Sequence, residues 1–178
     1  MKIINKIPYY LFAVGIFILL KLSYSFVDND DLTFLLKPVS NLIVLLTGSK
    51  SVYLPDIGYY HENLNIVVEK SCSGFNFWIL CFIMLTFLSL KYFERSFHKV
   101  LIIPMALLAS YFFTIFVNTS RIFTSIILQG QANNFLPSRP HYMLHEIVGI
   151  ITNLAFLILI YILTQKILIK KPSHAKLT

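Results

Sequence analysis

Long apolar segments separated by short polar ones dominate the hydrophobic pattern of the chain. A helix needs about 20 mostly apolar residues to cross a bilayer. Four segments are close to that length or exceed it: residues 7–27, 73–90, 100 to at least 117, and 142–165. The third segment stays apolar to Leu128, so its helix either tilts or breaks near residues 118–121. The pattern predicts about four transmembrane helices.

Two weaker patterns lie between the first and second apolar segments. Residues 32–46 carry Lys37, Pro38 and Asn41, and their apolar side chains favour one side, which is typical of an interfacial helix rather than a span. In the following loop, residues 51–54 and 64–68 read as two paired strands. We therefore expect an all-α membrane protein of one domain, residues 1–178, with an interfacial helix and a small extracytoplasmic β-hairpin.

The composition of the chain affects how its net charge of +7 is interpreted. Of the 178 residues, 57% are hydrophobic and 13% are charged, which excludes a disordered chain and argues against an ordinary soluble domain. The lysine-flanked start is similar to a signal peptide, but its apolar run is long for one. We therefore keep it as a span.

The charge distribution predicts the orientation. With a cytoplasmic N-terminus and four crossings, the inner segments hold nine basic residues and one acid, a net charge of +8. The remaining six basic and seven acidic residues give −1. Because cytoplasmic loops carry the excess of Lys and Arg, both termini are predicted to be cytoplasmic, including a basic tail at residues 166–178. The charge therefore indicates a lipid bilayer and no nucleic-acid partner.

Cys72 is predicted to lie at the outer mouth of the second span. A helix start favours a thiolate through its unpaired N–H groups and its dipole, and Ser71 or Ser73 could cap that end. Cys81 lies nine residues later, about 13 Å farther along a helix, which is too far for a disulfide. Cys72 is thus a candidate reactive thiol, with simple packing as the alternative, and Cys81 is expected to be packing.

Two further spans carry polar residues at their outer ends. Arg121 at that depth is costly and indicates a functional site, although a snorkelling side chain is the alternative. Asn118 shares its helix face. His145 lies one turn before Gly149, and that glycine would let a neighbouring helix approach. His141 shares the face of His145 at the spacing of a metal pair, but no third ligand appears, so neither metal nor cofactor is predicted.

Cys72, Arg121 and His145 therefore lie on three different spans, each at the predicted outer end. A thiol, a guanidinium and an imidazole at one depth match a cysteine acyl-transfer site. The thiolate would attack a carbonyl, the histidine would move the proton, and the arginine would stabilise the thiolate or the oxyanion. Contact between the three helices is an assumption at this stage.

At these residues the chain resembles the exosortase/archaeosortase family, in a short form similar to the exosortase K type. The resemblance covers about residues 32–165 and follows three short motifs in the expected order and on one membrane side. They are Cys72-Ser73-Gly74, Asn118-x-x-Arg121 and His145-x-x-x-Gly149.

The resemblance implies a multi-pass cysteine protease or transpeptidase of the bacterial inner membrane. Its substrates would be exported proteins with a C-terminal sorting signal, made of a motif, a transmembrane helix and a basic tail, and they would be cleaved through a thioester. Cys72 would be the nucleophile, His145 the general acid and base, and Arg121 the stabiliser. Ser73, Gly74, Asn118 and Gly149 would support the site.

Several alternatives stay open. The acceptor of the acyl group is unspecified, and it could be water, an amine or another nucleophile. His141 competes with His145, which is preferred because Gly149 follows it. The other function classes are a non-enzymatic membrane subunit or assembly factor with a structural Cys72, and an intramembrane serine protease that uses Ser73 and His145.

Overall fold

The structure is a computed structural model that describes residues 6–93, 96–135 and 141–169, with side chains at 6–93, 99–128 and 146–169. These residues form five α-helices and three strands. In chain order they are α1 (Ile7–Ser23), α2 (Thr33–Thr47), β1 (Ser51–Leu54), β2 (Gly58–His61), β3 (Ile66–Val68), α3 (Phe75–Tyr92), α4 (Ser96–Phe135) and α5 (His141–Ile169).

Helix α1 lies antiparallel to α3, and lysines join the two helices at both ends. Lys6 Nζ donates to the carbonyl oxygens of Leu90 at 2.7 Å and Lys91 at 3.0 Å, where α3 ends. Those carbonyls have no partner within their own helix, so a lysine there satisfies them. At the opposite end, Lys21 Nζ donates to Asn76 Oδ1 at 2.7 Å. The N-terminus of α1 and the C-terminus of α3 therefore share one end of the bundle.

Helix α2 has the predicted amphipathic pattern. Its exposed side includes Lys37 and Asn41, and its buried side packs against α4 and the first two strands. The buried residues are Leu35, Leu36, Val39, Ser40 and Ile43. With 15 residues, α2 is about 22 Å long, which is short of the roughly 30 Å hydrocarbon core.

The three strands form an antiparallel meander in the order β1-β2-β3. The predicted pairing of residues 51–54 with 64–68 is wrong, because β2 lies between those two strands and pairs with both. The chain turns back immediately after β1, where Ile57 N donates to Leu54 O at 3.2 Å. Gly58 then begins β2 close to β3, and a Cβ there would lie 2.5 Å from the Val68 carbonyl oxygen.

Within the described residues, three segments are long and apolar enough to cross a membrane: Lys70–Tyr92, Lys99–Leu128 and Glu146–Ile169. They indicate a membrane protein. Helix α1 is also apolar, but with 17 residues it is shorter. Helix α4 continues through residues 118–121 without the break that the sequence allowed, and its 40 residues extend about 60 Å.

Candidate functional site

Cys72 lies in the connection between the sheet and α3. It ends a short 3-10 turn, Lys70–Cys72, in which Cys72 N donates to Glu69 O at 2.8 Å. The sequence placed Cys72 at the start of a helix, and the structure corrects this, because α3 begins three residues later at Phe75. The thiol-bearing residue is 6% exposed, and Ser71 Oγ lies 3.7 Å from its Sγ.

Ser73 and Gly74 shape the entry into α3. Ser73 Oγ accepts a hydrogen bond from Phe75 N at 3.3 Å, so this serine does bond the helix start. Gly74 has a φ of +72°, a conformation that favours glycine. A Cβ on Gly74 would lie 3.0 Å from Thr114 Cγ2 and 3.1 Å from Asn118 Cγ. The glycine therefore allows α4 to approach the Cys72 segment closely.

Asn118 on α4 binds the Cys72 segment directly. Its Nδ2 donates to the carbonyl oxygen of Cys72, and the residue is 2% exposed. Its Oδ1 is buried and has no hydrogen-bond partner among the described residues. The first two motifs therefore meet in space, with one side of the Asn118 amide engaged and the other side unsatisfied.

Arg121 on α4 lies against α5. A Cβ on Gly149 would lie 2.8 Å from Arg121 Nε and 3.2 Å from Cζ. The sequence predicted that Gly149 admits a neighbouring helix, and the group that occupies this space is the Arg121 side chain. Arg121 Nε is buried without a partner in the described part of the chain, whereas the residue as a whole is partly exposed.

His145 lies in α5 one helical turn before Gly149. Its side chain and that of His141 fall outside the described residues, so their roles stay predictions. Of the predicted site residues, the structure brings Gly74 and the Cys72 carbonyl to Asn118, and Gly149 to Arg121. Cys81 is fully buried in α3, and both cysteines, which lie in described segments, carry thiols rather than a disulfide.

A stripe of polar residues along α4 passes through this site. Its members recur every three or four residues and fall on one face of the helix. We call this set the α4 polar stripe: Ser110, Thr114, Asn118, Arg121 and Ser125. Sequence reasoning singled out only Asn118 and Arg121, although the helical spacing of the five polar residues was the signal that could have identified Ser125.

A second polar cluster, which sequence reasoning missed, joins α2 to the sheet. His61 is fully buried, with Nε2 3.1 Å from Ser40 Oγ and Nδ1 2.9 Å from Ser49 Oγ. Ser40 Oγ also lies 2.8 Å from Ser51 Oγ. Burial lowers the pKa of the His61 imidazole, because removal from water disfavours the charged form.

Among the described residues, no three His, Cys, Asp or Glu side chains cluster as metal ligands would. No family model, curated protein or solved structure matches the chain. The resemblance to exosortases therefore rests on the three motifs alone, and any function rests on the geometry around α4.

Proposed function

We propose that this protein is a membrane-embedded cysteine protease or transpeptidase that cleaves C-terminal sorting signals of exported proteins. The observation that supports the proposal best is the position of α4 between the other two motifs. Asn118 donates to the Cys72 carbonyl, and Arg121 lies against Gly149. Three short motifs that are separate in the sequence are thus connected through one helix.

The proposed reaction is an acyl transfer through Cys72. The thiolate Sγ attacks the carbonyl carbon of the scissile peptide bond, and Arg121 stabilises the oxyanion of the tetrahedral intermediate. The C–N bond breaks as His145 protonates the leaving nitrogen, which departs with the C-terminal helix and basic tail of the substrate. An amine, another nucleophile or water then attacks the thioester, gives its proton to His145, and releases the Cys72 thiolate.

The arrangement of charge supports an outward-facing site, in what we propose is a bacterial inner membrane. Lys6 and Lys91 meet where α3 ends, and Lys99 Nζ lies 5.8 Å from the Tyr9 ring near the start of α1. Cys72 precedes α3 and so lies at its other end. With the lysine end in the cytoplasm, four helices cross, both termini are cytoplasmic, and the substrate helix lies in the bilayer beside the core.

Co-expression with a tagged substrate tests the function. The substrate would be an exported protein from the source genome that ends in a short motif, an apolar helix and a basic tail. We expect the wild-type enzyme and Cys81→Ala to remove the C-terminal tag, as seen by a mobility shift. Cys72→Ala and Arg121→Ala should leave the tag in place at equal enzyme levels, with a loss of at least about a hundredfold for the arginine.

Cys81→Ala is the matched control, because it removes the other buried thiol. Wild-type processing by Cys72→Ala would contradict the proposal. It would favour the alternative of a membrane subunit or assembly factor in which Cys72, 6% exposed, is only part of the packing. Processing that survives Cys72→Ala but not Ser73→Ala would instead favour the serine protease alternative.

A further inference from the structure

The α4 polar stripe divides into a satisfied half and an unsatisfied half. Ser110 Oγ donates to Leu107 O at 2.9 Å, and Thr114 Oγ1 donates to Ser110 O at 2.7 Å. The next three members each bury a polar atom without a partner among the described residues: Asn118 Oδ1, Arg121 Nε and Ser125 Oγ. A buried unsatisfied group costs about 1–3 kcal/mol, so three in succession point to a ligand.

Two hydroxyls of α4, Thr119 Oγ1 and Ser125 Oγ, are buried without a hydrogen-bond partner among the described residues, and of the two only Ser125 lies on the α4 polar stripe. A serine within a helix commonly donates to the carbonyl one turn earlier, and Ser120 does so, with Oγ 2.9 Å from Phe116 O. Ser125 is 5% exposed, yet its hydroxyl makes no such bond. The hydroxyl is therefore free to donate to a group that enters the site.

We propose that Ser125 binds the substrate backbone, by donating to the carbonyl oxygen of the third residue before the cleaved bond. This inference rests on the proposed function. Arg121 and Ser125 are four residues apart, about 6 Å along α4. In an extended peptide, carbonyls on the same side recur every second residue, about 6.6–6.8 Å apart. The spacing of the two side chains along α4 therefore matches the spacing of two same-side carbonyls. Arg121 would bind the carbonyl of the cleaved bond, and Ser125 would bind the next carbonyl on that side.

The direction of α4 agrees with this assignment of Arg121 and Ser125 to the two carbonyls. The helix runs from the Lys99 end of the bundle towards the end that holds Cys72, so Ser125 lies farther outward than Arg121. The exported part of the substrate is N-terminal to the cleaved bond and lies outside. The ligand is therefore an extended peptide segment that passes outward along the stripe, recognised through its backbone.

Two ketone probes test this assignment on the full-length protein in nanodiscs, in a Cys81→Ala background. The first is acetyl-Ala-Ala-Ala acyloxymethyl ketone, whose methylene carbon bonds to Cys72 Sγ as the carboxylate leaves. The second replaces the peptide bond between the first two alanines with a trans-alkene, which removes the carbonyl assigned to Ser125. The alkylation rates of Cys72 by both probes would be measured by mass spectrometry.

We expect the carbonyl probe to react about five- to tenfold faster than the alkene probe in the wild type. The ratio should fall to about one in Ser125→Ala, and it should persist in Ser125→Thr and in the control Ser120→Ala. Iodoacetamide, which has no peptide backbone, should alkylate Cys72 at the same rate in all four proteins.

Two results would overturn the inference: a ratio of one in the wild type, or a ratio in Ser125→Ala equal to that of the wild type. If either arises while Cys72 reacts with both ketones, only the role of Ser125 fails. If Cys72 of the wild type reacts with neither ketone, the proposed function fails as well. A slow iodoacetamide reaction in Ser125→Ala would mean that the substitution disturbs Cys72 itself. The test then uses Ser125→Thr, in which the ratio of the two ketone rates must equal that of the wild type.

Discussion

Asn118 is the residue through which the candidate nucleophile and the candidate stabiliser are connected. Its amide donates to the carbonyl of Cys72, and Arg121 follows it on the same helix one turn later. Gly74 leaves room for this contact, because a Cβ there would lie 3.1 Å from Asn118 Cγ. At the scale of single residues, the position of the Cys72 segment relative to α4 therefore depends on a glycine and an amide rather than on the cysteine.

Replacement of Gly74 by alanine should destabilise the protein by about 1–3 kcal/mol. The new Cβ would lie 3.0 Å from Thr114 Cγ2 at a φ of +72°, which disfavours any side chain. Gly15→Ala is the matched control, because no atom lies within 4 Å of its Cβ, and alanine suits a helix better than glycine. Thermal unfolding in detergent measures both, and equal melting temperatures would contradict the prediction.

The contact between α2 and the sheet is an element-scale feature that should depend on pH. Three serine hydroxyls and the His61 imidazole form its polar centre, and no water is needed to satisfy either ring nitrogen. A neutral imidazole has one donor and one acceptor nitrogen. A serine hydroxyl can accept from the first and donate to the second. Protonation would add a charge to a fully buried ring.

The free energy of unfolding should therefore fall as the pH drops below about 6.5. The pKa of His61 is lowered in the folded protein, so the unfolded chain binds the proton first, near pH 6.5. The stabilising contribution is complete above that pH and is lost below it, at up to about 1.4 kcal/mol per pH unit. Melting curves of the wild type and His61→Gln between pH 8 and 5 measure the difference. Parallel curves would exclude His61 as the cause.

At the scale of the whole molecule, lysines lie at both ends of the bundle, and one group of them lies at the end opposite the candidate site. Lys6 and Lys91 lie together where α3 ends, whereas Lys21 contacts Asn76 near the start of α3 and Lys70 lies in the turn that ends at Cys72. The charge pattern predicted an excess of basic residues at the end opposite Cys72, and Lys6, Lys91 and Lys99 lie at that end.

Reporter fusions after Lys50, Glu94 and Lys171 should report outside, inside and inside, respectively. The physical reason is the excess of Lys and Arg in the segments assigned to the cytoplasm. Alkaline phosphatase and green fluorescent protein at each position give complementary signals, because each is active on one side only. An inward signal at Lys50 would mean that α2 crosses the membrane, and it would move Cys72 to the cytoplasmic side.

The sequence by itself determined the features that depend on local pattern. Apolar run length predicted α3, α4 and α5, and the one-sided apolar pattern of residues 32–46 predicted α2. Spacing within a helix was enough to group Asn118 with Arg121. These features follow from periodicity and burial, which each segment carries in its own residues.

Only the tertiary structure decided which segments meet. Strand pairing depends on where the chain turns, and the turn after β1 makes β2, rather than β3, the partner of β1. The space at Gly74 and at Gly149 is filled by α4, through Thr114 and Asn118 at the first glycine and Arg121 at the second, and no local pattern states which helix will approach. The unsatisfied atoms of the α4 polar stripe became visible for the same reason, because a missing partner is a property of the whole fold.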